Sequence, residues 1–203
     1  MKTKAAMGAH TTSLEYGEIV SIAQSLRHEW RREHAEWMGS PFEWIKLCPE
    51  RAQSIIGEKI VSSWLALHDF NIERSADSES NRVIEGKRVV VKFSTQGKDG
   101  DYVFHQIKDG QYDFVIFFGI APDDAHCWIV PKFDLLRICR TGETPMSKAK
   151  TVTDACVHLN PERIRTDQDE AFSKYGNGLH DALVSISRLT GYTPDDLSET
   201  FQA

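Results

Sequence analysis

Residues 88–94 read RVVVKFS, an apolar run with a lysine inside it. A buried ammonium is costly unless neighbouring groups use it. Strand alternation puts Arg88, Val90, Lys92 and Ser94 on one face and Val89, Val91 and Phe93 on the other. The run 81–85 lies just upstream, across Glu85-Gly86, a pair suited to a tight hairpin turn. If that pair is the whole loop, Ile84 faces Lys87, Asn81 faces Val90 and Glu79 faces Lys92. Asp77 joins the same surface if the strand extends, and one more loop residue would turn all of these side chains to the opposite face.

A third carboxylate, Glu58, sits on a helical stripe shared with Ile55, Val61 and Leu65. It is either a structural acid bonded to the backbone or an arginine, or a carboxylate aimed at the sheet edge. Acids converging on a lysine suit metal-assisted phosphodiester hydrolysis. Hard oxygen ligands hold Mg2+ or Mn2+, the metal acidifies a bound water, and the lysine neutralises charge in the transition state. The expected catalytic set is Lys92, Asp77, Glu79 and Glu58, with Asp77, Glu79 and Asn81 as metal ligands. Gln106 could also face this site, although an ordinary polar edge residue is the plainer reading.

Several elements must position these groups. Apolar spacing predicts a helix over 14–37, a short one within 40–50, and a largely apolar, buried one from Pro49-Glu50 to about His68. Strands are expected at 71–74, in the hairpin 81–85 and 88–94, and at 112–120 and 127–130. A helix opens at Pro131, residues 141–160 read as loop, and helices follow over about 167–175 and 179–190, with Tyr175–Gly178 as the turn between them. Helices, then strands, then helices make an α/β (α+β) chain with a central sheet flanked by helices. The expected segments are an N-terminal helical one (1–49), a core (50–140) and a C-terminal loop with helices (141–203), packed as one domain.

The order GEKIVSSWLALHDF, SADSESNRVIEGKRVVVKFST, YVFHQIKDGQYDFVIFFGIAP resembles the core of the PD-(D/E)xK nuclease superfamily, the restriction-endonuclease-like fold, over roughly residues 50–132. The resemblance implies a central mixed sheet flanked by helices, Mg2+-dependent cleavage of double-stranded DNA of a restriction or phage-defence kind, and a homodimer. Lys92 matches the family lysine, Glu58 the acid of the first core helix, and Ala76-Asp77 stands where Pro-Asp is expected. The motif departs at Val90, where the acid of (D/E)-x-K belongs, and at Asn81, an amide in place of a carboxylate. A nuclease-like fold with a decayed site, acting as a DNA-binding or protein-interaction module, is therefore the alternative; in a purely structural module Lys92 would simply snorkel to the strand edge.

Bulk properties fit a soluble, cytoplasmic protein. The 203 residues are 40% hydrophobic and 27% charged, ordinary globular values. A net charge of −6 gives no global nucleic-acid signature, so DNA contact must rest on local clusters such as Lys87, Arg88 and Lys92. The four cysteines are scattered with no CxxC, which predicts reduced thiols, and the eight histidines show no metal spacing. The N-terminus lacks an apolar signal core and no apolar run is long enough to span a bilayer, so no membrane role is expected.

Overall fold

The computed structural model describes residues 14–76, 80–141, 155–166, 170–195 and 197. The chain divides into two units, residues 1–40 and 41–203. In the first, helix α1 spans Leu14–Glu33. Its stripe of Ile19, Ile22, Leu26 and Trp30 is exposed, although Trp30 stacks on His34 at 4.3 Å.

Among the described residues the second unit is built on a six-stranded sheet. Its strands are β1 (Ile72–Arg74), β2 (Arg82–Ile84), β3 (Lys87–Thr95), β5 (Phe114–Ile120), β6 (Ala125–Pro131) and β8 (Gly176–Asn177), in the order β1-β2-β3-β5-β6-β8. β3 and β5 run parallel and the other neighbours antiparallel, so the sheet is mixed. A parallel pair cannot close through a tight turn. The chain between β3 and β5 instead leaves the sheet as β4 (Tyr102–Ile107), which pairs with β7 (Ala155–Leu159) in a separate antiparallel ribbon.

Helices flank the sheet. α2 (Glu43–Lys46) leads into α3 (Glu50–Leu67), which lies on β3; α4 (Lys132–Thr141) follows β6, and α5 (Pro161–Arg165) and α6 (Glu170–Ser173) follow the ribbon. α7 (Leu179–Thr190) packs on β6. The expected α+β architecture, a central mixed sheet with flanking helices, is thus present. Gly57 makes the α3–β3 contact possible, since a Cβ at that position would collide with the Phe93 ring. Phe93 shares a face with Phe118, their rings 6.0 Å apart. The opposite face carries the main apolar cluster, where Phe117 and Trp128 of the sheet meet Tyr102, Phe104, Val157 and Leu159 of the ribbon.

Four expectations change. α3 is buried along one stripe of Gly57, Val61 and Leu65 and not around its circumference, for Ile55 is 49% and Leu67 82% exposed. Residues 102–107, given no strand from the sequence, form β4. The segment 141–160, read as loop, ends in β7, and Asn160 caps α5 by accepting from the Glu162 and Arg163 N–H groups. The turn expected at Tyr175–Gly178 contributes β8, whose Gly176 and Asn177 pair with Trp128 and Cys127.

Candidate active site at the edge of β3

The hairpin that sets this site forms as its turn residues dictate. Glu85 and Gly86 both take left-handed backbone angles (φ 46° and 76°), the conformation of a type I′ loop whose twist matches the flanking strands. Its register pairs Ile84 with Lys87, Val83 with Arg88 and Arg82 with Val89, as the two-residue loop requires. Beyond Val89 the two strands part. Asn81 still donates its backbone N–H to Val89 O (3.0 Å), while its side-chain Oδ1 accepts from the Val91 N–H (3.1 Å). A side-chain amide thus replaces the next rung of the ladder, satisfying a donor that the sheet would leave bare.

Among the described residues no strand pairs with this edge of β3 past Val89, and a cleft of about 820 Å³ opens along it. The cleft wraps the edge, so its two walls come from opposite faces of the sheet. The helix-side wall holds Glu58 of α3 and Asn81, with Arg51 nearby. The ribbon-side wall holds Lys92, His105 and Gln106.

On the helix side Glu58 and Asn81 are tied to each other and to Arg82. Arg82 bridges to Glu58 Oε1 at 2.7 Å and donates to Ser62 Oγ (3.1 Å) and Asn81 O (3.0 Å). Glu58 Oε2 accepts from Asn81 Nδ2 at 3.1 Å. Glu58 and Ser62 are four residues apart on α3, so one guanidinium can reach both. Arg82 was absent from the sequence-derived set, because its contact with Glu58 and Ser62 joins β2 to α3 across more than a full helix of intervening chain and no local spacing announces it. Glu58 therefore has both of the roles open to it from sequence: it is paired with an arginine, and it faces the cleft.

On the ribbon side Lys92 donates from Nζ to the backbone carbonyl of Gln106 at 2.7 Å. Gln106 has φ 56°, a left-handed value unusual for a residue with a side chain, and it lies where the β4–β7 register slips between Phe104 and Ile107. The bulge turns a carbonyl towards the lysine. Strained backbone of this kind collects at functional sites. Ser94 Oγ accepts the Val103 N–H at 3.0 Å and ties β4 to β3 below that contact. Val90, where the motif calls for an acid, packs against the apolar cluster.

The structure thus brings Glu58, Asn81 and Lys92 to one cleft and bonds Glu58 directly to Asn81. Asn81 and Lys92 stand on opposite walls, however, and not on the single surface expected from the hairpin register. Regular pairing stops at Arg82–Val89, and the Asn81 side chain turns to the Val91 N–H and Glu58. Asp77 and Glu79 lie outside the described residues. Among those described, no three of His, Cys, Asp or Glu are spaced to hold a metal ion. Glu58 is committed to a guanidinium and an amide, and Asn81 Oδ1 to a backbone N–H, so by themselves these residues do not make a Mg2+ site.

No family model matches the sequence, and no curated protein matches it. Among solved structures, a bacterial homing endonuclease is similar over 55% of this chain and 75% of its own, with a TM-score of 0.39 and 14% identity. At that distance neither membership of a family nor an activity follows. Among the described residues no helix is long and apolar enough to cross a membrane.

Proposed function

We propose that the cleft at the edge of β3 binds double-stranded DNA and hydrolyses a phosphodiester with Mg2+ or Mn2+, as an endonuclease of restriction or phage-defence type. The observation that carries this reading is Lys92, whose ammonium is held at the wall of a large cleft by a carbonyl set in strained backbone. An ammonium so fixed is preorganised to neutralise charge on a pentacovalent phosphate, which is worth more inside a cleft than in water. Arg51 adds positive charge on the opposite wall for the DNA backbone. Arg82 and Asn81 fix the carboxylate of Glu58 against the sheet edge. In this reading Asp77 and Glu79 supply the further acids for the metal, which lowers the pKa of a bound water when present. Cutting both strands calls for two clefts, hence a homodimer.

The test is incubation of plasmid and linear duplex DNA with the protein, with and without Mg2+ or Mn2+. Cleavage that needs the metal, stops with EDTA and disappears in Lys92→Ala supports the proposal. Val90 and the Arg82-paired Glu58 favour a second reading, a nuclease-like fold that binds DNA without cutting it. Absence of cleavage together with binding that weakens steeply with salt selects that reading. Neither cleavage nor binding removes both.

A further inference from the structure

The face of the β4–β7 ribbon turned away from the main apolar cluster gathers polar side chains around Cys156, one of which, His105, also lines the β3 cleft. Cys156 Sγ lies 3.4 Å from His105 Nδ1 and 3.6 Å from His158 Nε2. Behind His158, its Nδ1 is 3.9 Å from Asp101 Oδ2. Asp101 is itself held firmly, bonded through Oδ1 to Arg163 at 2.7 Å and to Asn160 at 2.8 Å. The strand pattern makes this grouping inevitable: Tyr102, Phe104, Val157 and Leu159 turn into the core, so His105, Cys156 and His158 share the other face.

We propose that Cys156 is an oxidant-responsive thiol, with the imidazoles of His158 and His105 as its proton acceptors and a hydroperoxide as its oxidant. A nucleophile within reach of a base, and that base backed by a carboxylate, is the arrangement that activates a thiol. Burial alone pushes the Cys156 thiol up and would leave it inert. Transfer of its proton to an imidazole replaces the buried neutral thiol with a thiolate–imidazolium pair, and Asp101 steadies the imidazolium on His158. The groups facing the thiol are His105 from β4 and His158 from its own strand, with Asp101 and Arg163 behind them. In the step itself the sulfur attacks one peroxide oxygen, an S–O bond forms and the O–O bond breaks. The sulfur is oxidised by two electrons to a sulfenic acid; the departing hydroxide of hydrogen peroxide, or alkoxide of an organic hydroperoxide, takes the proton from the imidazolium and leaves as water or the alcohol.

The other thiols serve as internal references. Burial raises the Cys127 and Cys139 thiols, and Cys48 donates to Trp44 O instead of facing an imidazole. The full chain is exposed to hydrogen peroxide across a pH series, sulfenic acid is trapped with dimedone, and each cysteine is quantified by mass spectrometry. Cys156 is expected to react at least about tenfold faster than Cys48 at neutral pH. His158→Gln and His105→Gln should each slow that reaction and move its onset to higher pH, with Cys48 unchanged. Cys156→Ser confirms the assignment by loss of the adduct. His105 is exposed, so its variant keeps the test valid should His158→Gln unfold. Oxidation of Cys156 no faster than Cys48, or a rate and pH profile that His105→Gln leaves untouched, overturns the proposal.

Discussion

β3 and β5 lie side by side, parallel and in register from Val89–Phe114 to Thr95–Ile120, yet they do opposite work. β5 has a strand on each side and all seven of its residues are buried. Among the described residues β3 has a partner on its outer side only up to Val89, after which its edge carries the cleft. The backbone conformation is shared, so the difference comes from what stands on the far side. A strand closed on both edges can only contribute to the core. A strand that loses its neighbour part-way exposes polar backbone, and side chains such as Asn81 and Lys92 then find use.

Substitutions should separate the two strands by where their effects fall. The largest loss of stability is expected for Phe117→Ala on β5, about 3–5 kcal/mol, because the ring is fully buried between sheet and ribbon; urea denaturation measures it. Gly57→Ala comes next, at about 1–3 kcal/mol, since the added methyl strikes Phe93. A cost near zero there would mean that α3 and β3 can part without penalty. Asn81→Ala should cost about 1–2 kcal/mol by leaving the Val91 N–H without its acceptor and Glu58 without its amide donor. Hydrogen exchange should speed up at the Val91 amide in that variant and stay unchanged along β5. Lys92→Ala should move stability by no more than about 0.5 kcal/mol, while any cleavage falls by at least about a hundredfold.

The smallest effect concerns pH. His126 on β6 is held below the ordinary imidazole range, mainly by burial, with the Asp124 carboxylate working the other way. The unfolded chain then binds this proton more readily than the folded one, so stability is intact above roughly pH 6.5 and declines as pH falls through and below it. His126→Gln should flatten that part of the stability curve, measured by denaturant titration at several pH values.

Local features were legible in the sequence. Glu85-Gly86 fixes its own backbone and hence the register of six residues, α3 and α7 announce themselves by periodicity, and β5 does so by its continuous apolar run. The ribbon was not legible. β4 and β7 are about fifty residues apart (Val103 pairs with His158), and β7 adjoins a stretch rich in Thr, Lys and Ser. Neither strand carries a signal for a partner that distant, and a bulge interrupts what alternation β4 has. The eight histidines showed no metal spacing along the chain, and the meeting of His105 with His158 exists only once the ribbon forms. At the β3 site the lysine was recognisable and its clamp was not, because the clamp is a main-chain oxygen.

That last feature has a consequence for mutagenesis. The Gln106 carbonyl persists whatever side chain occupies the position, so an alanine scan passes over it in silence. Only changes that alter the path of the backbone can reveal it. Deleting one residue of the bulge would straighten β4 and swing the oxygen away, while replacing Gln106 with glycine would relieve its left-handed strain and keep the contact. A lysine anchored in this way is insulated from sequence drift in its neighbour but exposed to insertion and deletion.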